Sequence, residues 1–171
     1  MSLLRFLGVG SSKTKAEGET DTVRRIAAQL DRLDPADAKY LAAFAYVLAR
    51  IAHADLDIDA TETAEMELRA KTVASLSEAE AALVVQIAVT QARLLGGTEN
   101  YVVTREFRNI STKEQRAKLV ECLYAVAAAD GSISAAESSE IAAIGEELGF
   151  TRAEVNSLRA HYREILAEFQ R

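Results

Sequence analysis

The sequence predicts an all-α protein: a single compact domain of about seven to eight helices, built as two pseudo-symmetric three-helix repeats. Three observations predict it. Ala and Leu are abundant, Pro occurs once and aromatics make up 6% of the 171 residues, a composition that favours helix over strand. Apolar residues recur at spacings of three and four, and no segment alternates with the period of two that a strand needs. The phrase "AHADLDIDATETAEM" (52–66) returns as "AAADGSISAAESSEI" (127–141), so that Ala52, Ala54, Asp55, Ile58, Ala60, Glu62 and Glu65 recur as Ala127, Ala129, Asp130, Ile133, Ala135, Glu137 and Glu140.

Each element has a local signature. Residues 1–20 read as a flexible N-terminal segment. "MSLLRFLGVG" is too short for a secretory leader and is either a frayed start or a weak interfacial tag of Leu3, Leu4, Phe6 and Leu7. "GSSKTKAEGET" after it is a polar linker. The helical domain covers 21–171. Its first helix, 20–33, carries the stripe Val23, Ile26, Leu30 and Leu33. Asp34 followed by Pro35 caps and opens the second, 35–54, with Leu41, Phe44, Leu48 and Ile51 on one face. The third, 60–74, starts at the capping box Asp59–Glu62, and the fourth, 78–95, at Ser77–Glu80. In such a box the first side chain accepts from a free backbone N–H, and the Glu reaches back to the cap's own N–H. Gly96-Gly97 stops the fourth helix.

A fifth helix, 99–109, connects the halves. The sixth, 112–129, starts at Ser111–Glu114 and carries the stripe Leu119, Cys122 (or Leu123) and Val126. The seventh, 135–148, starts at Ser134–Glu137. The eighth, 152–169, starts at Thr151–Glu154 and carries Val155, Leu158, Tyr162, Ile165 and Phe169. Repeat one then spans about 38–95, the connecting helix about 99–110 and repeat two about 112–169. Three helices cannot bury their apolar faces alone, so the two units are expected to share one core.

Composition excludes several function classes. The formal net charge is −6, with 20 Lys and Arg against 26 Asp and Glu. Without a basic cluster, nucleic acid is not expected as a partner. No stretch reaches the roughly 20 apolar residues of a membrane span, so the expected compartment is the cytoplasm, with peripheral membrane association left to the N-terminal tag. The single cysteine, Cys122, lies on an apolar stripe and reads as a small core residue. No nucleophile–base pair and no phosphate loop stands out, and the chain is not expected to be an enzyme. His53 reads as a favourable cation at a helix C-terminus, and His161 as a residue at a stripe's edge.

The acidic turns have two readings. In the first, Glu62 and Glu137 complete capping boxes, Asp55 and Asp130 cap turn amides, and Asp57 and Asp59 are solvated charge. In the second, pseudo-two-fold symmetry brings Asp55, Glu62, Asp130 and Glu137 into one cluster. Two like charges about 4 Å apart repel by about 4 kcal/mol at an effective dielectric of about 20, so such a cluster calls for a cation or for protonation. Oxygen ligands suit Ca²⁺, Mg²⁺ or Mn²⁺, and His53 beside the first turn lets Zn²⁺ compete. Neither turn is an EF-hand. That loop needs Gly at its sixth position and Glu at its twelfth, where this chain has Ala60 and Met66, then Ala135 and Ile141.

The pattern helix–"AxADGxIxxxE"–helix, used twice, with "REFRNISTKEQRAKLVECLYAVAAADGSISAAE" between and across the copies, resembles the TerB family of tellurite-resistance-associated helical domains, over roughly Ala38 to Leu166. Ala129, Asp130, Gly131, Ile133 and Glu137 all match the motif. The first copy departs, with Leu56 where Gly is usual, and Ser134 stands where an acidic residue is common. The resemblance implies an all-helical fold, an acidic face that binds divalent metal and a link to tellurite and other stress responses, often near the membrane. It carries no catalytic residues. The expected function is a metal-binding interaction module with a protein partner. The alternative is a metal-independent helical scaffold that docks a partner, at the membrane in one version.

Overall fold

The computed structural model describes residues 17–52, 60–94, 100–129 and 131–166. Those residues form eight helices: α1 (Glu17–Leu30), α2 (Pro35–Ala52), α3 (Ala60–Thr72), α4 (Glu78–Leu94), α5 (Asn100–Ile110), α6 (Lys113–Ala127), α7 (Ala135–Glu147) and α8 (Arg152–Ala160). A 3₁₀ turn, Arg163–Ile165, follows. The protein is all-α, as the sequence predicts, and no strand is present among the described residues.

The helix starts follow side-chain chemistry. Asp34 accepts from the Ala36 N–H at 2.9 Å. The Ser77 N–H donates to Glu80 at 2.7 Å and the Glu80 N–H returns to Ser77 Oγ. Ser134–Glu137 and Thr151–Glu154 are complete reciprocal boxes. Each such cap is worth about 1 kcal/mol. One expectation is corrected by a single residue. The cap of α6 is Thr112, boxed with Gln115, rather than Ser111 with Glu114. Ser111 instead donates its hydroxyl to the Phe107 carbonyl and closes α5, the alternative open to a serine beside a helix end. Asp59 lies outside the described residues, as does Gly96-Gly97.

The last helix is the other correction. Apolar spacing predicts helix to 169, but α8 ends at Ala160 with His161 as its C-terminal cap. The backbone then turns so that Leu166 pairs with Ile133 in an isolated parallel bridge, and both side chains are buried. Burying a leucine is worth about 1.5–3 kcal/mol, more than the few tenths per residue that separate helix from turn propensities. Tertiary burial therefore overrides the local repeat. Phe169 lies outside the described residues.

α2 is the hub. Every side chain from Leu41 to Ala49 is buried, which requires neighbours on all sides. It packs against α4, α5, α6 and α7. In each half the third helix packs on the first and second: α4 on α2 and α3, α8 on α6 and α7. Across the halves α6 meets α2 and α3, while α5 bridges α2 to α7. The third helices differ in length, 17 residues in α4 against 9 in α8. At the centre Phe107 of α5 lies 5.3 Å from the Tyr40 ring and 6.1 Å from Phe44.

Candidate functional site

The two acidic phrases join α2 to α3 and α6 to α7. The second is described on both sides of Asp130. α6 closes at Ala128, and the Gly131 N–H returns to the Ala128 carbonyl at 3.0 Å. Gly131 has φ +90, a left-handed conformation that costs an L side chain about 1–2 kcal/mol. Ile133 then buries completely and Ser134 caps α7. The glycine of the motif thus has a backbone reason. Leu56 stands at the corresponding point of the first phrase, so a copy of the Gly131 backbone there would be strained.

Of the four predicted ligands, Asp55 and Asp130 lie outside the described residues. Glu62 is in the first turn of α3, and its side chain also lies outside them. Glu137 is described. Its Oε2 accepts from the Ser134 N–H at 2.8 Å and from Ser134 Oγ at 2.7 Å. Both bonds fall on one oxygen, leaving Oε1 without a partner among the described residues. Among the described residues no group of three or more His, Cys, Asp and Glu side chains is arranged to hold a metal ion. His53 lies outside the described residues, and His161 places Nδ1 3.3 Å from the Leu158 carbonyl.

Sequence reasoning missed the strongest electrostatic feature near these turns. Arg50, in the last turn of α2, is 6% exposed. Its Nε and Nη2 donate to Glu140 Oε1 at 2.9 and 2.6 Å. Its Nη1 donates to Glu147 Oε2 at 2.7 Å and to Thr104 Oγ1 at 2.9 Å. Burial alone pushes the Arg50 pKa down, but the hydrogen bonds to Glu147 and Glu140 outweigh it and the net shift is upward. One planar guanidinium thus ties α2 to α5 and α7. Two signals stood in the sequence: Arg50 is the single charge in "YLAAFAYVLARIA" (40–52), and Glu140 and Glu147 are two turns apart on one face of α7. The pairing is not repeated. Ala125 occupies the place of Arg50 in the second half, and Glu65, the counterpart of Glu140, pairs with Arg69 at 2.5 Å.

Cys122 is fully buried, and burial pushes its thiol up to about 12 despite the nearby Arg69. A thiolate nucleophile needs the opposite shift, so Cys122 is a core residue, as expected. A groove of about 730 Å³ runs between α1, α3 and α4 and includes Arg32, Glu67 and Glu80. None of its lining residues is a Ser, Cys or His that would make a nucleophile–base pair. No helix among the described residues is long and apolar enough to cross a membrane.

No curated protein and no solved structure matches the chain. The family model described as "Tellurite resistance protein TerB" matches residues 41–160, which takes in both acidic phrases, the Arg50 clamp, most of α2 and all of α3 through α8. With more than half of its length matched and an all-α fold in agreement, this chain belongs to the TerB family.

Proposed function

We propose that the chain is a stress-response module that binds a divalent cation through its acidic interhelical turns and acts on a protein partner. It carries no catalytic activity of its own, and it works in the cytoplasm. The repeated acidic phrase within a TerB-family chain is the observation that carries this reading. Asp55, Glu62, Asp130 and Glu137 are the proposed ligands. Glu137 fits the role, because its capping bonds occupy Oε2 alone and a hard cation takes a monodentate carboxylate oxygen. Ca²⁺, Mg²⁺ and Mn²⁺ suit this oxygen-only set, and Zn²⁺ competes if His53 joins.

A second reading has its own support. Glu137 is fully accounted for as the Glu of a capping box, and a helical scaffold that docks a partner without metal needs no more from it. Calorimetric titration of the chelator-stripped chain with each cation separates the two. Saturable binding at low stoichiometry, weakened by Asp55→Asn and by Asp130→Asn, is the result expected. Absence of heat with every cation at two temperatures would leave the turns as helix punctuation and retain the scaffold alone.

A further inference from the structure

α5 has two unlike faces. The inner one is fixed to the core. Val103 and Phe107 are buried, Thr104 accepts from Arg50 and Glu106 pairs with Lys39 of α2. The outer one carries Tyr101, Val102, Arg105 and Arg108. At 3.6 residues per turn these four fall within an arc of about 120°. Tyr101 is 59% exposed and Val102 67%, and both arginines are exposed. The only carboxylate on the helix is Glu106, already engaged by Lys39. Among the described residues neither Arg105 nor Arg108 is in an ion pair. The Arg108 guanidinium passes beside Gly149 at the end of α7, 2.9 Å from where a Cβ on that residue would be.

A chain of net charge −6 therefore presents, on one helix face, an aromatic and aliphatic patch beside two guanidiniums that no carboxylate among the described residues pairs. Tyr and Arg are the side chains most often found to carry binding energy at interfaces. A guanidinium pairs best with a carboxylate, through two parallel hydrogen bonds. Two cations are too few for the phosphate contacts that sustain nucleic-acid binding. At about 1 kcal/mol each they attract an anionic membrane only weakly. The helix is about 16 Å long, so its one face supports a small, transient interface rather than an obligate one.

We propose that the outer face of α5 docks a short acidic segment of a partner protein, with two carboxylates spaced to reach Arg105 and Arg108 and an apolar side chain covering Tyr101 and Val102. The proposal rests on the reading that the chain acts through a protein partner, and it names that partner's chemistry.

The test uses the full chain in chelator and fluorescein-labelled short peptides. Each peptide carries two glutamates three or four residues apart and one leucine or phenylalanine, and has a counterpart with glutamine at both positions. Saturable anisotropy changes are expected for the acidic peptides. Affinity should fall about tenfold or more in Arg105→Glu/Arg108→Glu, be partly kept in Arg105→Lys/Arg108→Lys and be unchanged in Lys71→Glu, with far-UV circular dichroism the same for all. Equal binding of acidic and glutamine peptides would overturn the proposal. So would stronger arginine-dependent binding to phosphatidylserine vesicles than to any peptide. A partner protein that binds Arg105→Glu/Arg108→Glu as well as the native chain would overturn the assignment to α5 and leave the partner reading standing.

Discussion

Replacing Arg50 with Met tests whether the two halves are held together electrostatically as well as by their shared core. Met keeps most of the volume and removes the guanidinium. Arg50 is 6% exposed, while Glu147 is 20% and Glu140 40% exposed. Removing one partner of a fully buried ion pair costs about 3–5 kcal/mol, chiefly because the other charge is stranded. Here the stranded carboxylates keep access to water, Glu140 most of all, which lowers the expected cost to about 2–4 kcal/mol. For a chain of this size that is a fall in Tm of about 5–12 °C. The urea midpoint should fall with an unchanged slope. Arg50→Lys should recover part of the loss, because an ammonium reaches one glutamate but cannot fork between two. A double-mutant cycle of Arg50→Met with Glu147→Gln should give a coupling of about 1–3 kcal/mol. A loss below about 1 kcal/mol, or additivity within about 0.5 kcal/mol, would refute the clamp.

Four further outcomes follow from the same structure. The bond from Lys113, with those from the Thr151 N–H and hydroxyl, holds the Glu154 carboxyl down at about 2. Its stabilising contribution is present above the ordinary glutamate range and is lost as pH falls toward about 2, so the Glu154 side-chain NMR signal should titrate near there and move up in Lys113→Met; an ordinary midpoint in the native chain contradicts the contact. Cys122 should resist thiol reagents at pH 8 until denaturant unfolds the core, whereas rapid native-state labelling would show an accessible thiolate. Gly131→Ala should cost about 1–2 kcal/mol from backbone conformation alone, since no atom lies within 4 Å of the added Cβ. Gly149→Ala adds a contact of 2.9 Å with the Arg108 guanidinium, and the excess cost should vanish in an Arg108→Ala background.

Much of the architecture is legible in the sequence because its signals are local. A capping residue three before a Glu or Gln acts within one turn of backbone, and Ser77, Ser134 and Thr151 start helices where they are expected to. Even the α6 correction moves the start by one residue, since Ser111 and Thr112 compete for two adjacent roles. The metal ligands are a different case. Glu137 is readable as a cap, but whether two turns 75 residues apart (Asp55 to Asp130) meet is a property of packing that no local spacing encodes.

The sequence by itself determined the helical class, most helix starts and the place of Cys122 in the core through periodicity, capping and composition, and the family through the resemblance of its repeated motif. Tertiary structure alone decided that Arg50 reaches across to Glu140 and Glu147, that Leu166 leaves the helical path to join Ile133, and that α5 keeps Tyr101, Val102, Arg105 and Arg108 outward. Each of these depends on which helix lies beside which. That is set by the summed burial of side chains far apart in the chain, a quantity that no window of the sequence contains.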